Sequence, residues 1–171
     1  MQYKGRIDIR VEGNKFNLSH VRAGGTLLKL ELFKASWLLS KDQEKHWVVS
    51  GDLDKNWGQL YIEFMTGGLG EVRLEFRGGY FGDLEKHRHE VWVDDVEAEG
   101  VDIINGSFEE MDEDNKIRGW EGIKTRNNEN IDARTGKACV LVWHHEPAVQ
   151  RIFVDPGKQY KVSAWFKPNV I

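Results

Sequence analysis

The chain has 171 residues, 40% of them hydrophobic, and 24 basic against 28 acidic side chains for a formal net charge of −4. That length suits one domain with a substantial core, and the mixed, slightly acidic balance lacks the basic excess of a nucleic-acid binder. The one cysteine, Cys139, excludes an internal disulfide and any multi-cysteine metal site, and no apolar run approaches the roughly 20 residues that span a bilayer.

Strand signals follow one another along the chain. Gly5 to Glu12 keeps a strict period of two, and Leu27 to Phe33 alternates in the same way. His46 to Val49 is a short β-rich run. Leu60 to Met65 and Glu71 to Arg77 follow, the latter with Val72, Leu74 and Phe76 on one face. Glu90 to Glu97, Ala138 to Trp143, Gln150 to Val154 and Gln159 to Lys167 complete the set. Turn clusters separate them: Ala23-Gly24-Gly25, Thr66-Gly67-Gly68, Gly78-Gly79, Thr135-Gly136-Lys137 and Asp155-Pro156-Gly157. Phe108 to Asp114 is acidic and has the composition of a helical turn. Short strands with frequent turns predict an all-β protein, a β-sandwich or jelly roll spanning residues 1–171 as a single domain.

The aromatic content carries the functional signal. Seven Trp accompany eight Phe and four Tyr, more Trp than one core of this size needs, and surplus Trp marks binding surfaces. In Gln159 to Lys167, the residues Tyr160, Val162, Ala164 and Phe166 share one face and read as core. Trp165 lies on the other face with Lys161, Ser163 and Lys167, as an exposed platform would. Sugars offer flat C–H faces to such rings and hydroxyls to polar neighbours. By this reading the candidate carbohydrate contacts rank Trp165, Trp143, Trp47, Trp37; Trp143 heads His144-His145-Glu146, which supplies polar partners. For each of the four, plain packing is the rival reading.

Three stretches resemble the carbohydrate-binding modules of families 4, 9 and 22, which are galactose-binding-like jelly rolls. One is Ile104-Asn105-Gly106-Ser107-Phe108-Glu109-Glu110 with Gly119-Trp120. Another is Arg134-Thr135-Gly136-Lys137-Ala138, then Asp155-Pro156-Gly157-Lys158-Gln159-Tyr160 running on to Lys167. The last is Asn56-Trp57, then Val91-Trp92-Val93-Asp94-Asp95-Val96. The order departs from the family: residues 5–99 match its C-terminal half and 103–168 its N-terminal half. Circular permutation accounts for this, with 97–103 joining strands that lie close together, and a chain cut across tandem modules is the rival.

The resemblance implies a structural calcium held by Glu109 and Asp94, with the main-chain carbonyls of Ser107 and Lys137. Hard Ca²⁺ takes several such oxygens. Asp94 shares its strand face with Trp92 and Val96, so it is expected to point inward, where a carboxylate must be paired or metal-bound. Asp95 is expected to face solvent. The resemblance makes Trp57 and Trp120 structural, while Trp92 alternates with core. His87-Arg88-His89 and His144-His145 lack helical zinc spacing and read as solvated or sugar-contacting.

The chain is therefore expected to bind a polysaccharide or oligosaccharide without being an enzyme, and to contact neither nucleic acid nor membrane. No nucleophile elbow, phosphate loop or His-Glu-x-x-His occurs. Met1-Gln2-Tyr3-Lys4-Gly5 is not a signal peptide, so secretion is expected as part of a longer chain attached to a glycoside hydrolase or lyase, with a cytoplasmic location as the alternative. The runner-up function is a structural or protein-interaction jelly roll of a larger extracellular protein. A small lyase or hydrolase comes third.

Overall fold

The computed structural model describes residues 5–13, 18–27, 29–35, 45–67, 70–79, 89–127 and 133–169. These form an all-β, sandwich-like arrangement of two antiparallel sheets, and among the described residues no helix is long and apolar enough to cross a membrane. The strands are β1 (Gly5–Gly13), β2 (Leu18–Gly25), β3 (Lys29–Ala35), β4 (Lys45–Leu53), β5 (Gly58–Thr66), β6 (Gly70–Gly78), β7 (Val91–Glu99), β8 (Thr125–Asn127), β9 (Cys139–Val142), β10 (Ala148–Val154) and β11 (Gln159–Pro168). One sheet, called A below, runs β10-β6-β1-β4-β3; the other, B, runs β2-β5-β11-β7-β9-β8.

Strands from early and late in the chain lie side by side in both sheets. β10 pairs with β6, β11 lies between β5 and β7, and β9 pairs with β7. The segment after β7 returns along it, with Val96 N–H donating to the Gly106 carbonyl at 2.9 Å. The period-two pattern fills the space between the sheets. Ile7, Ile9 and Val11 of β1 are fully buried against Leu60, Ile62 and Phe64 of β5, Val72, Leu74 and Phe76 of β6, and Val162, Ala164 and Phe166 of β11, all in one apolar cluster. Phe76 meets Phe166 and Trp120 with ring centroids 5.9 Å apart in each pair, and Phe108 meets Trp120 at 5.0 Å.

Two strands lack an alternating signature. β8 spans three residues. β2 includes Ala23-Gly24-Gly25, whose composition reads as a turn. The glycines are there for close approach: a Cβ on Gly24 would lie 2.3 Å from the Tyr61 hydroxyl, and one on Gly25 2.1 Å from the Gln59 carbonyl. A register shift between Ser19 and Arg22, with His20 at φ 53°, also breaks the alternation of β2. The acidic stretch from Phe108 holds no helix. It closes through a Met111–Ile117 bridge, and the Asn105 side chain bonds the Glu110 and Arg118 carbonyls and the Glu110 N–H at 2.9–3.1 Å. Buried Gln150 fastens the same loop from β10, accepting from Ile104 N–H and donating to the Ile104 and Gly119 carbonyls.

Phe166→Ala, which empties the space against Phe76, is expected to cost about 3–5 kcal/mol. Phe153→Ala, on edge strand β10 with Phe153 78% exposed, is expected to stay within about 0.5 kcal/mol. Urea denaturation of the two variants checks the assignment of inner and outer faces.

Candidate functional site

The outward face of sheet A departs from an ordinary solvated surface. β1 is its central strand, and the residues between its core positions are Arg6, Asp8, Arg10 and Glu12. The pairing sets Asp8 against Arg77 of β6 and Ser50 of β4, Arg10 against Glu75 and Val48, and Glu12 against Arg73 and His46. Cross-strand partners share a face, so these side chains form one polar floor. The floor is sheltered: Glu75 is 1% exposed, and His46, Ser50 and Val48 are each 2% exposed.

Charge pairing holds the floor together. Glu75 lies between Arg73 and Arg77 and is ion-paired to both. Burial pushes its carboxyl up, but those guanidiniums together with Arg10 outweigh burial and hold it below the usual glutamate range. Asp8 accepts from the Ser50 hydroxyl and lies 3.7 Å from Arg6 Nε. For Asp8 burial wins, and its carboxyl titrates above the ordinary value despite Ser50, Arg6, Arg10 and Arg77. Arg6 also reaches Glu31 of β3 at 3.2 Å. In the turn between β9 and β10, Trp143 and Glu146 form a bridge, Trp143 meets His145 edge-on at 4.9 Å, and His144 packs against His145. The His144 imidazole titrates below its ordinary value through burial, then the charges of Arg77, His145 and Arg10.

Of the four tryptophans ranked for sugar contact, Trp143 lies in the turn between β9 and β10. Trp47 is cross-strand from Val11 and packs against the core, so its half-buried ring lies on the inner face of β4. Trp37, with His87 and Arg88, lies outside the described residues. In sequence the floor residues stand in Arg6-Asp8-Arg10-Glu12 and Glu71-Arg73-Glu75-Arg77, an alternation of charge that reads as a solvated strand face.

Trp165 lies on the outer face of sheet B, with the Arg134 guanidinium 3.8 Å from its ring centroid. The face of β7 corrects a sequence expectation. Asp94 is fully buried but does not point into the sandwich. It stands opposite Trp165, on the same side as Trp92, which packs outward with Cys139 and Leu141. A bulge causes this: the pairing slips at Ser163/Trp165, Asp95 takes φ 47°, and Val96 swings back to the core. Asp94 is sealed by the 134–138 loop, accepting from Arg134 N–H at 2.8 Å, Thr135 N–H at 3.2 Å and Asp95 N–H at 2.8 Å. Burial, only partly offset by these donors, pushes its carboxyl up to about 6. Asp95 is partly exposed and is tied at the surface to Arg134 at 2.5 Å and the Thr135 hydroxyl at 2.6 Å.

Glu109 reaches the other end of the same loop, its Oε1 accepting from Lys137 and Ala138 N–H at 2.7 and 2.8 Å. The two carboxylates predicted to share a cation thus converge on one loop, through amide donors. Among the described residues no three His, Cys, Asp or Glu side chains group as metal ligands. A groove of about 460 Å³ beside Trp120 is lined by Met111, Ile117, Ile123 and Arg126 and lies apart from both faces. Comparison with protein-family models, with curated proteins and with solved structures finds no match.

The raised Asp8 carboxyl fixes the sign of a stability effect. The folded chain binds this proton more tightly than the unfolded chain, so Asp8's contribution to stability falls as pH rises above its ordinary 3.8. Asp8→Asn is expected to be more stable than the parent at pH 7, with the gap closing as pH approaches 4. Urea midpoints across that range test it, and a less stable variant at pH 7 would refute it.

Proposed function

We propose that the protein is a non-catalytic glycan-binding module that takes its ligand on the outward face of sheet A. The observation that carries this is the sheltered polar floor of Asp8, Arg10, Glu12, Ser50, Arg73 and Arg77. Sugar hydroxyls need fixed donors and acceptors side by side, and guanidinium and carboxylate groups locked by cross-strand pairing supply both without reorganising. Trp143 supplies an aromatic edge for a C–H face. The Trp165 ring already has a guanidinium over it, which favours sheet A over sheet B as the ligand face. Glu75, 1% exposed and tied to two arginines, is sealed from a glycosidic bond, which favours binding over hydrolysis.

In this reading the sandwich is a galactose-binding-like jelly roll with permuted halves. The interleaving of early and late strands and the Val96–Gly106 hydrogen bond support that order. The module would belong to a longer extracellular chain that degrades or modifies polysaccharide. A structural calcium is part of the proposal. Glu109 Oε2, together with the Ser107 and Lys137 carbonyls, would hold it beside the 134–138 loop, and the ion would add positive charge near buried Asp94 and its neighbour Asp95.

A glycan array followed by calorimetry tests the binding face. Trp143→Ala is expected to weaken binding about fivefold, as loss of roughly 1 kcal/mol of ring contact would, while Trp165→Ala leaves affinity within about twofold. The opposite pattern would move the ligand to sheet B, and the absence of any bound glycan would sink the reading. For the metal, calcium is expected to raise the melting temperature by mass action and chelator to lower it. Glu109→Gln should remove the difference. Identical melting with calcium and with chelator would mean that no such ion contributes.

A further inference from the structure

We infer that the centre of this face recognises the carboxylate of an acidic sugar, a uronate residue, through Arg10; the inference rests on the glycan reading above. Arg10 lies on the central strand of sheet A, between Glu75 of β6 and Val48 of β4. Its Nε is buried and has no hydrogen-bond partner among the described residues. The carboxylate paired with its Nη1, that of Glu12, is 3.7 Å away, beyond hydrogen-bond length. A guanidinium N–H left unmade in a sheltered place costs more than an ordinary lost bond, and such a group calls for an explanation.

The neighbouring acids do not provide it. Glu75 is held by Arg73 and Arg77, Asp8 by Ser50 and Arg6, and Glu12 is shared with Arg73 at 3.7 Å. The Arg10 side chain is 17% exposed, so part of it reaches the surface. Arg6, Arg73 and Arg77 share this face with it, alongside the acids Asp8, Glu12 and Glu75. A neutral hydroxyl would satisfy one N–H. A carboxylate can take the planar Nε–Nη edge in a two-point contact.

The test uses isothermal titration with short oligogalacturonates, the same oligomers after carboxyl reduction, and a sulfated neutral oligosaccharide. The uronate oligomer is expected to bind at least tenfold more tightly than its reduced counterpart, with the preference shrinking as salt rises. Arg10→Gln should abolish the preference, and Arg10→Lys, which keeps the charge without the fork, should lose most of it. The Arg10 Nε–Hε resonance of the unmodified protein should shift on uronate addition, which reads the contact even if a variant fails to fold. Equal affinity for charged and reduced chains would overturn the inference while leaving the glycan reading intact. If no glycan of either kind binds, the glycan reading falls with it. A uronate preference that survives Arg10→Gln, an unmoved Nε resonance, or equal binding of the sulfated chain would each overturn the assignment to Arg10 and a carboxylate.

Discussion

The arrangement depends on the seating of β11 between β5 and β7. This late strand hydrogen-bonds on both sides to strands from the first hundred residues, so sheet B does not close until the chain is nearly complete. Its alternation decides the rest. Tyr160, Val162, Ala164 and Phe166 are no more than 2% exposed and turn toward sheet A, while Trp165 turns away. A slip of one residue would exchange these sets and set Lys161, Trp165 and Lys167 against Ile9 and Phe76, which no rearrangement of the core could absorb. The bulge opposite Ser163/Trp165 is the local adjustment to this register. Asp95 is the extra residue, and it lets β7 present Asp94 outward to the 134–138 loop and Val96 inward to the core. That loop and the Trp165–Arg134 contact follow from where β11 sits.

The same alternation explains what could be read from the sequence and what could not. Strands with an unbroken period of two, β1, β5, β6 and β11, are legible because one face is wholly apolar. β2 is illegible because its glycines serve Tyr61 and the Gln59 carbonyl across the pair, a long-range need that looks like a local turn. Asp94 was assigned a side by counting from Trp92 to Val96, and a bulge falls between them, so counting fails there. Trp47 was ambiguous for a different reason: His46-Trp47-Val48-Val49 is apolar on both faces, and only pairing with Val11 fixes which side the ring takes. Glu109 and Asp94 both meet the 134–138 loop through amide donors, a matter of backbone geometry that composition does not carry.

Charge-bearing strands present a related difficulty. Arg6, Asp8, Arg10 and Glu12 alternate with core residues as a solvated strand face would, and surface pairs of that kind contribute little. What separates this face from a solvated one is shelter, and shelter belongs to the fold. Once water is thinned out, each charge must be matched by a neighbour or carry a cost. Glu75 is matched twice over, Asp8 incompletely, and Arg10 least of all. A strand selected for stability alone would place apolar or fully paired side chains at such positions. In the proposed reading, a polar ligand would complete the incompletely matched set along the central strand.

The two outward faces therefore exchange the roles that composition suggests. Surplus tryptophan points to aromatic platforms, yet on sheet B the rings are engaged by the protein itself. Trp92 packs with Cys139 and Leu141, its Nε1 donates to Asn169 at 3.1 Å, and Trp165 lies under Arg134. A sugar arriving at Trp165 would have to displace a guanidinium that is also bonded to Asp95 and thereby loosen the loop over Asp94. On sheet A most of the charged side chains are held by one another, so a ligand there, in the proposed reading, would displace fewer of the protein's own contacts. Binding that leaves existing contacts in place loses less of its gross interaction energy to reorganisation. If the protein binds a glycan as proposed, that difference in cost, more than the count of aromatic rings, would favour sheet A as the ligand surface.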